Sequence, residues 1–365
     1  MPRQSTVIVI GAGASLAQAR SALYLPRANG RLPPLDSDFL DKSTQINSLR
    51  PYRNAVIKVV NQTGFANPWQ VARSSMEQFF ADVYYEVAAL RQRDARLELY
   101  TRLLRLYHQT LSATTNWMSR LREFGVLELL VQNELRRADQ VTVVTFNQDL
   151  LLERAAARLR STDEWCLTSL YQTGSLLPRV LLNRPKALVF RHHKPGCKHD
   201  PPFVLLKLHG SLNWVLASRA SDPTVGTLFP GTHPRRIYCL DTQFVPEHAT
   251  LQAKREWQLW PLVVPPIYDK PRIVAMRMFQ SLWNKARSAL EAADHAVFFG
   301  YSMPDADILA KELFRRSVAG NSALRAIDCI NPDPMMVTKL HTSFDVPIIH
   351  YYTDVYSYLQ SSFRR

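Results

Sequence analysis

Four short apolar runs stand out along the chain: VIVI at 7–10, VTVV at 141–144, FVLLKL at 203–208 and AVFF at 296–299. They are apolar at consecutive rather than alternate positions, as expected of strands buried on both faces of a parallel sheet. Elsewhere the period changes to a helical one. Phe79, Val83, Val87 and Leu90 recur at helical spacing, as do Leu99, Leu103, Leu106 or Tyr107, and Leu111. Only Gly125 interrupts residues 76–137, so the pattern predicts a helical insertion between the first two core strands, packed over the crevice they form. LLLERAAARLR at 150–160 reads as a helix after VTVV. A second helix, with Met278, Leu282, Ala286, Ala289, Leu290 and Ala293 on one face, leads into AVFF. Asp305 or Asp307 is placed to cap the next helix, whose apolar face holds Ile308, Leu309, Leu313 and Phe314. A βα unit at 323–334 (ALRAIDCINPDP) and a strand in PIIHYY at 347–352 close the pattern.

Strands alternating with helices predict an α/β fold, a Rossmann-like doubly wound parallel sheet. We expect a single domain over 1–365, with the helical insertion at 40–140. A smaller lobe at 212–262 carries Trp214, Trp257 and Trp260. A chain of 365 residues, 46% hydrophobic and 21% charged, is long enough for a large core and ordinary for a globular protein. No apolar run approaches the roughly 20 residues that span a bilayer. MPRQST runs straight into VIVI without a leader, so a cytoplasmic location is expected.

Charge and cysteines narrow the classes further. The net charge of +14 favours anionic partners, but it is dispersed. The clearest excess, Arg179 to Lys198, reads as a solvated or oligomer-facing loop. With no helix-turn-helix, zinc finger or RNA-recognition motif, contact with nucleic acid is expected only indirectly. Cys166, Cys197, Cys239 and Cys329 form no CxxC pair, which argues against a disulfide framework or a zinc knuckle. RHHKPGCKHD at 191–200 offers His192, His193, Cys197 and His199, but their spacing matches no standard metal site.

Each strand-like run ends in a motif: Gly11-Ala12-Gly13-Ala14-Ser15, Thr145-Phe146-Asn147-Gln148-Asp149, His209-Gly210-Ser211 and Gly300-Tyr301-Ser302. Open α/β sheets bind ligands at the carboxyl ends of their strands, so a glycine turn, an amide, a carboxylate and a histidine would line one crevice. A glycine turn there lets backbone N–H groups approach a pyrophosphate at a helix N-terminus. Four of only twelve glycines sit in these motifs, which argues against mere turn duty. The usual dinucleotide fingerprint has a third glycine where this chain has Leu16. Taken singly, Asn147 reads as the cap of a helix starting at Asp149, and His209 as a structural histidine; only their register with the other motifs changes this.

In this order the segments resemble the sirtuin superfamily. GAGAS is similar to its first glycine motif, TFNQD to its Thr-x-Asn-x-Asp motif, and LHGS to its His-Gly motif. GYS and CINP are similar to the segments that hold the adenine-side ribose and the adenine. Protein-deacylating sirtuins carry four zinc cysteines after the His-Gly motif, whereas this chain has only Cys239 there, so a zinc-free lobe is expected. LPPLDSDFL at 32–40, SMEQFF at 75–80 and GYSMPDAD at 300–307 resemble instead the sirtuin-like proteins of bacterial antiphage defence.

That resemblance implies an enzyme that takes NAD as substrate and hydrolyses it to nicotinamide and ADP-ribose. It also implies a homo-oligomer with an activating partner such as a HerA-type ATPase or a short Argonaute. Asn147, His209 and Asp149 would be catalytic. Asn147 would hold the nicotinamide ribose or the water, His209 would act as general base, and Asp149 would shape the nicotinamide pocket. Gly11, Ala12, Gly13 and Ser15 would bind the pyrophosphate, and Gly300, Ser302 and Asn331 the adenosine half. Two other functions fit the same motifs less well. One is an NAD-dependent deacylase or ADP-ribosyltransferase. The other is a non-catalytic module that binds NAD or ADP-ribose in a nucleic-acid-associated complex.

Overall fold

A computed structural model describes residues 4–23, 31–70, 75–89, 95–120, 123–160, 167–173, 179–182, 188–189, 200–219, 236–240, 257–264, 276–304, 307–324, 326–344 and 348–362. The chain opens with β1 (Ser5–Ile10) and α1 (Ala12–Leu23). Four helices follow: α2 (Phe39–Thr44), α3 (Arg50–Thr63), α4 (Met76–Ala89) and α5 (Ala95–Thr115). Next come α6 (Val126–Arg137), β2 (Gln140–Thr145), α7 (Leu151–Leu159) and α8 (Leu167–Leu170). Six strands continue the chain: β3 (Arg179–Leu182), β4 (Leu188–Val189), β5 (Val204–Lys207), β6 (Gly210–Arg219), β7 (Arg236–Leu240) and β8 (Trp257–Val263). The last third is α9 (Arg277–Glu291), β9 (His295–Phe299), α10 (Ile308–Ala319), β10 (Ala326–Ile330), α11 (Met335–Ser343), β11 (Ile349–Tyr352) and α12 (Val355–Ser362).

Six strands form one parallel sheet in the order β11-β10-β9-β1-β2-β5, the Rossmann-like arrangement that the apolar runs predict. β1 lies at the centre, and Val7, Ile8, Val9 and Ile10 are all buried. Each such side chain contributes roughly 1.5–3 kcal/mol over leaving it exposed. Register then decides what gathers at the carboxyl ends. Ile10 lies opposite both Thr145 and Phe299, Thr145 opposite Lys207, and Phe299 opposite Ile330. The motif residues that follow these positions therefore emerge side by side.

The helical region divides by packing. α2 to α5 build a second core of their own, with Phe39, Val56, Phe80, Tyr100, Leu103 and Tyr107 among its members. Leu150, just before α7, Leu212 of β6 and Val263 of β8 complete this core, so the helices sit on the carboxyl side of the sheet. α6 does not belong to it. Val126, Leu127, Leu130 and Val131 join the main core, which makes α6 the crossover helix leading into β2.

A second sheet has the order β4-β3-β7-β6-β8. It includes β3 and β4, which precede residue 212, along with strands from the tryptophan-bearing segment. Gly210 makes the transition between sheets. Its φ is +81°, and a Cβ there would lie 2.3 Å from the Leu262 carbonyl oxygen, so only glycine fits.

Candidate functional site

The crevice lies where the strand order reverses, between β1 and β9. There the two glycine turns meet backbone to backbone. Gly11 N–H donates to Phe299 O at 3.1 Å, and Gly13 N–H to Gly300 O at 2.9 Å. A Cβ on Gly11 would fall 2.6 Å from Tyr301 Cα, and one on Gly300 (φ +61°) would fall 2.2 Å from Ala14 N. Close approach between turns therefore explains Gly11, Gly13 and Gly300. Ala12, the first residue of α1, stays exposed at the mouth.

The second motif locks onto the first. Thr145 Oγ1 donates to Ile10 O at 3.1 Å and accepts from Asn147 N–H at 3.0 Å. Asn147 Nδ2 donates to Gly11 O at 2.9 Å and to Ser15 Oγ at 2.8 Å. Ser15 Oγ in turn donates to Asp149 Oδ2 at 2.6 Å. Asp149 Oδ1 accepts Leu151 N–H at 3.0 Å, so Asp149, and not Asn147, holds the first N–H of α7. Gly11, Ser15, Asn147 and Asp149 thus form one hydrogen-bonded unit. Within it, the Ser15 hydroxyl bridges amide to carboxylate.

His209 stands on the other side of Phe146. The Phe146 ring packs edge-on against the imidazole, with centroids 5.0 Å apart, and stacks on Tyr301 at 4.8 Å. His209 Nε2 lies 3.8 Å from Asp307 Oδ1. Tyr301 donates its hydroxyl to Asp307 Oδ2 at 3.3 Å. Burial, reinforced by the Asp307 charge, raises the Tyr301 hydroxyl well above its ordinary pKa, so it remains a donor. Asp307 occupies the N-cap position of α10, but its side chain makes no capping bond. The expected cap is instead a carboxylate turned to His209 and Tyr301. Asp305, the other expected cap, lies outside the described residues.

On the side expected to take the adenosine half, Asn331 Nδ2 donates to Tyr301 O at 3.4 Å, and Asn331 Oδ1 accepts Asp333 N–H at 2.9 Å. Ser302 is exposed, and Lys339 Nζ donates to its carbonyl at 3.0 Å. The expected site residues therefore form two groups joined through Phe146 and Tyr301, rather than a single cluster.

No protein-family profile matches the chain, and no curated protein matches it. Among solved structures it is similar to sirtuins. One, described as "Structural Basis for the Mechanism and Regulation of Sir2 Enzymes", is 13% identical, with a TM-score of 0.34 over 100% of this chain and 92% of that one. Another, from "The Structural basis of Sirtuin Substrate Affinity", is 13% identical, with a TM-score of 0.36 over 99% and 92%. A third holds a Sir2 mutant with a p53 peptide and NAD, at 13% identity and a TM-score of 0.34. At that level the likeness carries no weight for function, which is read from the crevice itself.

The site is braced from behind by residues that the sequence pattern did not single out. Lys207 is fully buried and donates to Glu153 Oε1 at 2.8 Å, to Gln148 O at 3.3 Å and to Asp149 O. Tyr171 also donates to Glu153 Oε1, at 2.7 Å. A lysine inside an apolar run was the available signal, because a buried ammonium needs acceptors. The insertion reaches the same loop through Phe39, which stacks on Tyr107, and through Tyr107, whose hydroxyl donates to Gln148 Oε1 at 3.3 Å. LPPLDSDFL and SMEQFF also meet directly, Asp36 Oδ1 accepting Glu77 N–H at 2.7 Å.

Among the described residues no group of three or more His, Cys, Asp or Glu side chains could hold a metal ion. His192, His193, Cys197 and His199 lie outside them, as do Cys166 and most of the basic 179–198 segment. Cys239 and Cys329 are buried free thiols. No described helix is long and apolar enough to cross a membrane. A cavity of about 380 Å³, lined by Ser5, Gln140, Val204, Asn284 and Lys285, opens at the amino ends of the strands, away from the crevice.

Proposed function

We propose that this chain is an NAD glycohydrolase that cleaves the nicotinamide–ribose bond of NAD with water. The observation that carries this reading is the hydrogen-bonded unit of Gly11, Ser15, Asn147 and Asp149, set beside the Phe146–His209–Asp307 group at the switch point of the sheet. The leaving group is a pyridinium, which departs as neutral nicotinamide with the bonding electron pair and needs no acid. The barrier is an oxocarbenium-like state that must be positioned and stabilised. Water forms the new bond to the ribose C1′ and His209 takes its proton, giving nicotinamide, ADP-ribose and one proton released to solvent.

Asn147 is the residue for the nicotinamide ribose. Its amide is fixed by Gly11 and Ser15 and its side chain is only half-buried, so its carbonyl oxygen is presented in a set direction. Asp149 keeps that amide in place through Ser15 and adds negative charge near the developing cation. The pyrophosphate would meet the amino end of α1 at Ala12, with Gly11 and Gly13 serving to close the turn and Ser15 to hold Asn147. Ser302 and Asn331, with Gly300, take the adenosine half.

The test is nicotinamide release from NAD by the purified full chain, with and without candidate activators. We expect Asn147→Ala and His209→Ala each to reduce release on the order of 100-fold or more. Equal release by both variants would sink the reading, as would release that requires an acyl-peptide. The resemblance of LPPLDSDFL, SMEQFF and GYSMPDAD to antiphage-defence proteins extends the proposal to an oligomeric effector that depletes NAD once a partner activates it. Cells expressing the chain should then lose NAD on phage infection, and cells expressing Asn147→Ala should not.

A further inference from the structure

We infer that α5 is a positioning element of the crevice, its Tyr107 and His108 holding the loops that carry Asn147, Asp149 and His209 at a fixed separation. This deepens the NAD-cleavage reading and rests on it for the effect on rate. Tyr107 and His108 are consecutive, both are buried, and they reach different loops. Tyr107 donates its hydroxyl to Gln148 Oε1 at 3.3 Å, and His108 Nε2 lies 3.0 Å from Leu212 O. Gln148 stands between Asn147 and Asp149, and Leu212 directly follows His209-Gly210-Ser211. The two loops are also bonded to each other. Leu212 N–H donates to Gln148 O at 2.8 Å, Gln148 Nε2 to Val264 O at 3.3 Å, and Val264 N–H to His209 O at 2.8 Å. A closed circuit thus runs from Tyr107 through Gln148, Val264, His209 and Leu212 back to His108.

The chemistry of the two side chains suits fixed contacts. Burial pushes the His108 imidazole down to about 4, against the effect of the Leu212 bond, so the ring is neutral at neutral pH. A carbonyl only accepts, which puts the one ring proton on Nε2. Burial also raises the Tyr107 hydroxyl well above its ordinary value, so it stays a donor. The helical core in turn sets α5. Phe39 stacks on the Tyr107 ring at 5.1 Å, and Phe80 packs edge-on against Tyr100 and Tyr107, each at 5.9 Å. At the far end, Arg154 of α7 donates to Thr115 O at 2.9 Å and to Asn116 Oδ1 at 2.7 Å. A shift of α5 moves both loops together, and misplacing reacting groups by about 1 Å costs on the order of 100-fold in rate.

Tyr107→Phe and His108→Leu each remove one of the two bonds. In nicotinamide release by the full chain, each should lower kcat on the order of 10-fold with KM within about threefold. His108→Gln, whose amide can still donate to Leu212 O, should keep kcat within about threefold of native. Val56→Ala opens a cavity in the same helical core without touching either bond. It should lower the denaturant midpoint yet keep kcat within about threefold. Hydrogen exchange reads the loops without any turnover. In the Tyr107→Phe, His108→Leu double variant, the Leu212 and Val264 amides should exchange at least about 10-fold faster than native, with Val143 in β2 unchanged. Native-like exchange at both amides in that variant overturns the inference. So does a His108→Gln as slow as His108→Leu, or a loss of kcat in the bond variants no larger than that in Val56→Ala. If the native chain releases no nicotinamide, the hydrolase reading fails, and the exchange rates still decide whether α5 holds the loops.

Discussion

Two histidines sit beside aspartates at opposite ends of the same sheet. At the carboxyl ends, His209 lies 3.8 Å from Asp307 and packs against Phe146. At the amino ends, His295 lies at the start of β9 with Nε2 2.6 Å from Asp328 Oδ2 and Nδ1 3.6 Å from Glu134 Oε2. Glu134 is further tied by Tyr358 at 2.7 Å and by Asn133 at 2.8 Å, which anchors α12 to α6. Burial alone works against a charged imidazole. The hydrogen bonds and charges of Asp328 and Glu134 outweigh it and push His295 up to about 9. That ring is clamped from two sides by buried carboxylates and is part of the architecture. The His209 ring lies against Asp307 and the Phe146 ring at the carboxyl ends of the strands, where the crevice is proposed to take its ligand. What surrounds a histidine–aspartate pair thus decides which role is proposed for it.

The largest effect that separates the two is on activity. His209→Ala should abolish nicotinamide release on the order of 1,000-fold, whereas folded His295→Ala should turn over within about threefold of the native rate. Comparable losses in both would erase the distinction.

The reverse asymmetry should appear in stability. His295→Ala leaves Glu134 and Asp328 buried without their cation, a change worth about 3 kcal/mol, read as a lower denaturant midpoint. His209→Ala should cost about 1 kcal/mol or less, because its Asp307 contact at 3.8 Å is much longer than the 2.6 Å His295–Asp328 contact.

Gly300→Ala tests whether the crevice depends on touching turns as much as on its histidine. Forcing a Cβ into φ +61° against Ala14 N should lower stability by roughly 2 kcal/mol or more and weaken NAD binding together with it.

Smaller again is the pH dependence. Because His295 titrates higher in the folded chain than in the unfolded one, its stabilisation is complete below about pH 6.5 and fades as the pH rises through about 9. Glu134 is shifted the other way. Burial opposes its charge, but His295 and Tyr358 prevail and lower its pKa, so its contribution fades in acid. Thermal melts should be flattest between these limits, and His295→Ala should remove the alkaline limb. A limb that persists in that variant would remove His295 from its cause.

The central sheet was legible because its strands are buried on both faces and therefore read as unbroken apolar runs. That the motif residues would gather at one end of the sheet was legible because each follows such a run, and because glycine is too scarce elsewhere to dilute the signal. Asp307 was harder to read. An aspartate just before a helix is indistinguishable in sequence from a cap, and only the fold shows its side chain turned to His209. Helical spacing likewise could not assign α6 to the main core and α2 to α5 to another, since both kinds of helix carry the same stripe. β3 and β4 were hard to read because they are only four and two residues long and lie in a mixed basic segment.

The most direct test is a side-by-side assay of nicotinamide release from NAD by the native full chain, His209→Ala and His295→Ala, each checked for folding by circular dichroism. Release by the native chain and by His295→Ala, with none by His209→Ala, is the expected result. Equal release by the two variants, or release by none of the three with or without activator, would contradict a carboxyl-end crevice that cuts NAD.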